Sequence, residues 1–186
     1  PTIAPAPTTA RSTRSNSMTN SWPFSLKTFQ GKGPSIYRKV VFLMLKGIPN
    51  LLTPELLKIL MEMGHGDTLV IGDGNFPAAA MAKDSKLVRL DGHGVPEILD
   101  AILKFFPLDP YVEAPVSLME VVPGDPVETP IWDEYAKIVE KYEPGTKIGH
   151  IERFAFYEEA KKAYVIIATS EAALYANVIL QKGVVK

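Results

Sequence analysis

The chain has 186 residues, of which 46% are hydrophobic and 22% are charged, and these proportions are ordinary for a soluble globular protein. It contains no cysteine, which excludes disulfide bonds, thiolate nucleophiles and Cys-based zinc sites and fits a reducing compartment such as the cytoplasm. No apolar run approaches the roughly 20 residues that a membrane-spanning helix needs, so we expect no membrane partner.

Charge divides the chain into two parts. Residues 1–43 carry six Lys or Arg side chains and no Asp or Glu. The remaining 14 basic and 21 acidic side chains give residues 44–186 a formal charge of −7. Because nucleic-acid binding depends on neutralising phosphates, so acidic a domain is a poor candidate for it. A neutral or cationic small molecule is the favoured partner.

The basic leader, residues 1–43, differs from the rest in composition. Up to residue 35 it is rich in Pro, Thr, Ser, Arg and Gly and has no hydrophobic period. Three interpretations stay open: a leader introduced for expression, a natural disordered arm, or a transit peptide without a clear amphipathic face. A strand is predicted at residues 36–45, leading into the domain that occupies residues 44–186.

The first predicted helix begins at Thr53-Pro54-Glu55, where Thr is the N-cap, Pro takes the first helical position and an acid lies in the first turn. Gly64 ends it as the C′ residue. The apolar residues between share one face at helical spacing: Leu56, Leu57, Leu60 and Met63.

Strands and helices alternate from there to the end of the chain. Apolar runs predict strands at residues 68–71, 87–90, 116–122, 148–154, 164–168 and 178–180. Helical patterns are predicted at residues 76–82, 95–106, 129–142 and 156–162. This alternation predicts an α/β fold, a single layered domain with a largely parallel core sheet flanked by helices.

Polar side chains that follow strands are the first candidates for a site, because ligands of open α/β sheets gather at the carboxyl ends of strands. His65 lies between two glycines in Gly64-His65-Gly66-Asp67, and Asp73 follows the next strand. Histidine exchanges protons near neutral pH, and a nearby carboxylate orients it or binds hydroxyl groups. The alternative is a tight polar turn, with Asp73 capping the next helix.

A second histidine, His93, lies in Asp91-Gly92-His93-Gly94 after another strand. A structural turn is the favoured interpretation. A metal site built from His65, Asp67, Asp73 and His93 is the less favoured one, because these residues lie in separate loops without a helical pair of histidines.

Two later clusters combine polar and aromatic residues. Arg153 is predicted at a strand end beside Phe154 and Phe156, where a planar guanidinium suits a hydroxyl-rich ligand or forms a salt bridge. Tyr175-Ala176-Asn177 precedes the last strand and offers donors and acceptors that fix a sugar, or else forms a simple turn. No phosphate-binding glycine loop and no nucleophile elbow is present.

In their order along the chain, these clusters resemble the fucose mutarotase/ribose pyranase family over residues 44–186. The strings that carry the resemblance are Met44-Leu45-Lys46-Gly47-Ile48-Pro49, Glu62-Met63-Gly64-His65-Gly66-Asp67, Asp73-Gly74-Asn75-Phe76-Pro77, Arg153-Phe154-Ala155-Phe156-Tyr157-Glu158 and Tyr175-Ala176-Asn177-Val178-Ile179-Leu180. The string at 153–158 resembles the fucose branch.

The resemblance implies a cofactor-free, metal-free sugar mutarotase acting on L-fucose, with ribose as a second sugar. It implies that His65 is the acid/base residue, with Tyr175 as its counterpart or as a ligand. The sugar ligands implied are Asp73, Arg153, Tyr175, Ala176 and Asn177. One departure is visible, because the family commonly has Gly where this chain has Ala176, and a positive φ there would displace the site.

The resemblance also implies a homo-oligomeric ring, commonly a decamer, with sites completed at subunit contacts. Two other classes of function stay open on the residues alone. One is a non-catalytic sugar-binding or regulatory module, and the other is a metal-dependent sugar isomerase or hydrolase.

Overall fold

The computed structural model describes residues 45–185, so the leader and, apart from Leu45, the strand predicted at 36–45 lie outside the described residues. The elements in chain order are α1 (Pro54–Glu62), β1 (Thr68–Gly72), α2 (Ala78–Met81), β2 (Lys86–Leu90), α3 (Val95–Leu103), β3 (Val116–Met119), α4 (Ile131–Tyr142), β4 (Ile148–Ile151), α5 (Arg153–Lys162), β5 (Val165–Thr169) and β6 (Val178–Gln181). None of the helices between residues 45 and 185 has the length and apolar character needed to cross a membrane.

The six strands form one sheet in the order β2-β5-β1-β6-β3-β4. The pairs β1–β5, β2–β5 and β3–β4 are parallel, and β6 runs antiparallel to both β1 and β3. The predicted fold class, with a largely parallel core sheet, is confirmed. The carboxyl ends of β1, β3 and β4 therefore lie on the same edge of the sheet as the start of β6.

Both faces of the sheet are buried, which explains why its central strands read as continuous apolar runs. Alternate residues point to opposite faces, so Leu69 and Ile71 join one core while Val70 joins the other. Residues of α1, α3 and α4 cover the first face, and residues of α2 and α5 cover the second. The domain is thus a three-layered sandwich of helices, sheet and helices.

The start of α1 is as predicted. The Thr53 hydroxyl accepts a hydrogen bond from the Leu56 backbone N–H at 3.2 Å, and Pro54 takes the first helical position. The helix ends with Met63 as its C-cap, followed by Gly64. The positive φ of this turn belongs to Gly66, at 86°, so Gly66 is the residue that needs glycine's conformational freedom.

Two strands are shorter than predicted. The strand expected at 148–154 ends at Ile151, because the Glu152 carboxylate accepts hydrogen bonds from the Phe154 and Ala155 backbone N–H groups and so caps α5. Arg153 is therefore the first residue of a helix rather than the end of a strand.

The strand expected at 116–122 ends at Met119, and a tight turn follows it. The Asp125 N–H donates to the Val122 carbonyl at 3.0 Å, with Pro123 and Gly124 between them and a φ of 89° at Gly124. Proline followed by a glycine of positive φ is the signature of a type II turn. This turn fixes the position of Asp125.

Two helices also start or end away from their predicted limits. The helix expected to be capped by Thr129 starts at Ile131, and its N-cap, Pro130, makes no side-chain hydrogen bond. The Thr129 carbonyl, not its hydroxyl, accepts from the Trp132 N–H at 3.0 Å. The helix expected at 95–106 ends at Leu103.

Candidate active site

Asp73 and Asn177 form a buried pair at the carboxyl edge of the sheet, where β1 ends and β6 begins. The Asp73 N–H donates to Asn177 Oδ1 at 2.8 Å, and Asn177 Nδ2 donates to Asp73 Oδ2 at 2.9 Å. Asp73 Oδ1 accepts from the Asn75 N–H at 2.9 Å. These bonds fix both side chains, so the hydrogen-bonding positions that Asp73 and Asn177 do not use among themselves point in fixed directions.

Burial raises the pKa of the Asp73 carboxyl above its ordinary value, while the hydrogen bonds from Asn75 and Asn177 act in the opposite direction. Desolvation is the larger cause because Asp73 is only 5% exposed. A hydroxyl group can pair with such a carboxyl, since it both gives and accepts hydrogen bonds.

Tyr175 adopts a φ of 55°, the left-handed conformation that residues other than glycine seldom adopt. Two donors from α4 hold this segment, since Trp132 Nε1 donates to the Tyr175 carbonyl and the buried Tyr135 hydroxyl to the Ala176 carbonyl, each at 2.9 Å. Such backbone strain costs about 1–3 kcal/mol and occurs where the surroundings enforce it. The positive φ lies at Tyr175 and not at Ala176, so the alanine found there does not displace the site through its φ.

Removing the Tyr135 hydroxyl should lower the free energy of unfolding by about 1–3 kcal/mol in a Tyr135→Phe variant, because the buried Ala176 carbonyl loses its donor. Urea denaturation measures the change. Tyr111→Phe is the control, since the Tyr111 side chain is 71% exposed. Equal stability of the two variants would contradict this account of how the segment is held.

Arg153 starts α5 beside the carboxyl end of β4. Its guanidinium lies 4.6 Å from the centre of the Phe154 ring, and its Nε is a buried donor without a hydrogen-bond partner within residues 45–185. Buried donors are almost always paired in folded proteins, so Arg153 Nε has hydrogen-bonding capacity that the described residues do not use. The salt bridge considered for Arg153 from the sequence does not form within the described residues.

Three aromatic side chains, Phe76, Phe156 and Tyr157, form an apolar wall that begins at Phe76, whose N–H donates to the Asp73 carbonyl at 3.1 Å. The Phe76 ring lies 5.8 Å from the Tyr157 ring and 6.1 Å from the Phe156 ring, measured between centres. Phe156 is fully buried and belongs to the core, whereas Phe154 is 63% exposed. A polar pair beside an apolar wall matches the two kinds of surface that a sugar ring presents.

His65 lies at the opposite end of β1, which starts at Thr68, three residues after His65, and ends one residue before Asp73. A strand of five residues rises about 3.3 Å per residue, so roughly 16 Å of sheet separates the two ends. Within one chain, His65 therefore does not meet Asp73, Arg153 or Tyr175. The hypothesis that Asp73 orients His65 is wrong for a single copy.

The carboxylate that orients His65 is Asp109, which sequence reasoning missed. His65 Nε2 lies 3.0 Å from Asp109 Oδ2, which also accepts from Gln181 Nε2 at 3.1 Å. Asp109 Oδ1 accepts from the Tyr111 N–H at 3.0 Å, the largest of the causes that lower the pKa of this carboxyl. The sequence signalled only a turn, through Asp-Pro at 109–110. The contact with His65 spans 44 residues, so no local sequence pattern reveals it.

The Asp109 carboxylate decides which nitrogen of His65 carries hydrogen. An ionised carboxylate only accepts hydrogen bonds, so Nε2–H must donate to it, and Nδ1 is left to exchange a proton with a ligand. The His65 side chain is 47% exposed, and the Tyr111 ring stands edge-on to it at 5.8 Å. This end of the molecule presents an exposed histidine whose ring is held by a buried carboxylate.

The two buried aspartates should give opposite pH dependences of stability. Between the ordinary Asp pKa of about 3.9 and the raised pKa of Asp73, the folded state binds more protons than the unfolded state, so the free energy of unfolding falls as pH rises. The lowered pKa of Asp109 means that its contribution is complete above the ordinary pKa and is lost as pH falls towards the folded pKa.

Relative to the wild type, an Asp73→Ala variant should therefore gain stability as pH rises from about 3 to 7, and an Asp109→Ala variant should lose it. Urea midpoints across this range measure how the stability difference between each variant and the wild type changes with pH. If this difference changed with pH in the same direction for both variants, the assigned environments would be wrong.

His93 pairs with a carboxylate of the helix that follows it, α3. His93 Nδ1 lies 3.0 Å from Glu97 Oε1, and Glu97 also accepts from the Gly94 N–H at the start of α3. Across the described part of the chain, no group of three or more His, Asp and Glu side chains is arranged to hold a metal ion. The structure therefore does not assemble the metal site considered for His65, Asp67, Asp73 and His93.

Comparisons with known proteins agree with this architecture. Human fucose mutarotase is 50% identical over 144 residues, which are 75% of this chain and 94% of that protein. A crystal structure of FucU from Bifidobacterium longum is 61% identical with a TM-score of 0.74, over 76% of this chain and 100% of that one. A crystal structure of the Streptococcus pneumoniae fucose mutarotase in complex with L-fucose is 50% identical with a TM-score of 0.71, over the same shares.

The family model for the RbsD / FucU transport protein family matches residues 46–185, nearly all of the described chain. The resemblance inferred from the sequence strings is thereby confirmed. With the identities and coverage of its relatives, the match shows that this chain belongs to the RbsD / FucU transport protein family.

Proposed function

We propose that this protein is a mutarotase that interconverts the α and β anomers of L-fucose without a cofactor, with pyranose and furanose forms of ribose as a second substrate. The observation that carries the proposal is that the chain presents two polar surfaces, one at each end of β1. One holds Asp73, Asn177 and the unpaired Arg153 donor, and the other holds the His65–Asp109 pair. The names of the relatives and the L-fucose bound in one of them support the choice of sugar.

The reaction needs only proton transfers. Opening a pyranose ring takes the proton from the anomeric hydroxyl and gives a proton to the ring oxygen, and closing the ring on the other face of the aldehyde reverses both transfers. A positioned acid or base contributes about 10²–10⁴-fold to such a step. His65 Nδ1 is the principal group, since the hydrogen bond between Nε2 and Asp109 holds the imidazole ring in place.

The other side chains bind the sugar. Asp73 and Asn177 take hydroxyl groups along the edge of the sheet, and Arg153 donates to a sugar oxygen from its guanidinium. Tyr175 is the second proton-transfer group and also a ligand, and the strained backbone at 175–176 keeps it in place. Ala176 contributes its backbone, whose carbonyl Tyr135 holds.

A site of this kind requires a second copy of the chain. The sheet separates His65 from Asp73, so the His65 of one copy must approach the sugar-binding edge of another. Exposed apolar residues lie at both ends, with Tyr111 beside His65 and Phe154 and Leu174 near Arg153 and Tyr175. Contacts between unlike ends generate rings when the rotation between copies closes, which is consistent with a homo-oligomer and with the decameric ring that the resemblance implies.

A cytoplasmic location is part of the proposal. It is supported by the absence of cysteine in the sequence and by a small neutral sugar as substrate. The acidity of residues 44–186 supports a protein without a nucleic-acid partner.

The test is anomer exchange measured by NMR saturation transfer on L-fucose and on D-ribose, with and without EDTA. We expect faster exchange on L-fucose that survives EDTA. Binding of the sugar without faster exchange would replace the proposal with a sugar-binding module, and loss of activity in EDTA would replace it with a metal-dependent enzyme.

A further inference from the structure

Asp125, which the sequence did not single out, contacts the second proton-transfer group. The Tyr175 hydroxyl donates to Asp125 Oδ2 at 2.6 Å, a short hydrogen bond between a phenol and a carboxylate. Asp125 is otherwise exposed on the loop between β3 and α4. Nothing in the core requires this carboxylate, so the bond to Tyr175 is its only evident task within the described residues.

The backbone fixes both partners before a ligand arrives. The type II turn at 122–125 places Asp125, and Trp132 and Tyr135 hold the strained segment that carries Tyr175. The hydrogen bond therefore joins two preorganised groups rather than two flexible side chains. Such a bond loses little conformational entropy when it forms and keeps its geometry.

The direction of the bond limits what Tyr175 offers to a sugar. A carboxylate only accepts, so the phenol hydrogen points towards Asp125 and the phenol oxygen is left as an acceptor. A sugar hydroxyl that reaches this oxygen must then be the donor. The hydroxyl that has to give up a proton during ring opening is the anomeric one.

We propose that Asp125 is a positioning residue of the mutarotase site, which turns the Tyr175 hydroxyl away from the sugar so that its oxygen accepts the anomeric hydroxyl. This inference rests on the proposed function. On ring opening, the anomeric proton passes to the Tyr175 oxygen while the phenol proton passes to Asp125 Oδ2, and His65 delivers a proton to the ring oxygen. Ring closure reverses these transfers. Asp125 touches Tyr175 and not the sugar.

The charged groups around the Tyr175 hydroxyl determine its titration. The hydrogen bond to Asp125 is the largest cause that raises the pKa of Tyr175, with burial second. The backbone N–H of Val122 and the charge of Arg153 on α5 lower this pKa but do not outweigh Asp125. Losing the carboxylate should therefore move the titration of Tyr175 to lower pH.

The test compares Asp125→Ala with Glu128→Ala, which removes the same charge from an exposed position of the same loop. We expect Asp125→Ala to lower kcat on L-fucose about tenfold with little change in KM, because the defect is in orientation. The alkaline limb of its pH–rate profile should shift to lower pH. So should the phenol titration at 295 nm, with Tyr175→Phe marking which transition belongs to Tyr175. Glu128→Ala should match the wild type in all three readouts.

Two results would overturn the inference. The first is an Asp125→Ala variant with wild-type kcat. The second is an Asp125→Ala variant whose kcat is lowered while its pH–rate profile and its phenol titration are unchanged, because the substitution would then act only by disturbing the loop. An inactive wild-type chain would instead overturn the proposed function. The phenol titration does not depend on activity, so it separates the two failures.

Discussion

A His65→Ala variant should lose catalysed anomer exchange by about 10²–10⁴-fold while keeping its fold. The substitution removes the group whose Nδ1 exchanges protons with the sugar. The Asp109 carboxylate keeps its hydrogen bonds from the Tyr111 N–H and from Gln181, so it is not left unpaired. Saturation-transfer NMR measures the loss, and urea denaturation checks the fold.

The matched control is His93→Ala. That histidine is also exposed and also paired with a carboxylate, Glu97, but it lies beside α3 and away from His65. Exchange activity should be unchanged in this variant. A His65→Ala protein with full activity would remove His65 from the mechanism.

Two inactive variants should restore activity when they assemble together. His65→Ala destroys one half of the proposed site and Arg153→Ala the other, and the two halves lie at opposite ends of the sheet. In an equal random mixture, a site is intact when each neighbour supplies its undamaged half, which happens for about one quarter of sites. Co-expressing the two variants with different tags and purifying through both tags gives the mixed assembly.

The control pairs His65→Ala with Asp109→Ala. Both substitutions damage the same half of the site, so no arrangement of these copies rebuilds it. Recovery with Arg153→Ala and none with Asp109→Ala is the expected pattern. Mixed assemblies that stay inactive in both cases would show that each copy works with its own residues.

The fold was predictable where local signals and tertiary contacts agree. The start of α1 was found from its local cap, Thr53 followed by Pro54. The strands β1 and β5 were found because both faces of the sheet are buried, which makes these strands continuous apolar runs. The end of β4 was not found, because Ile151 and Phe154 both favour strands and only the cap from Glu152 turns the chain into α5. A single side chain bonding to two N–H groups overrides the pattern there.

The residues of the candidate site were predicted from the sequence, but their arrangement was not. Asp73 and Asn177 were predicted individually, and their direct pairing follows from β6 running antiparallel beside β1. His65 and Asp73 are close in sequence, yet the strand between them carries them apart. Asp109 and Asp125 were missed because each meets its partner across a long stretch of chain that no local pattern records.

The most direct test of the shared site is a crystal structure of this protein with L-fucose. We predict one sugar bound at the edge formed by Asp73, Arg153 and Asn177, with Nδ1 of His65 from a neighbouring copy within hydrogen-bonding distance of its anomeric or ring oxygen. A sugar bound at that edge with no histidine near either oxygen would contradict the account.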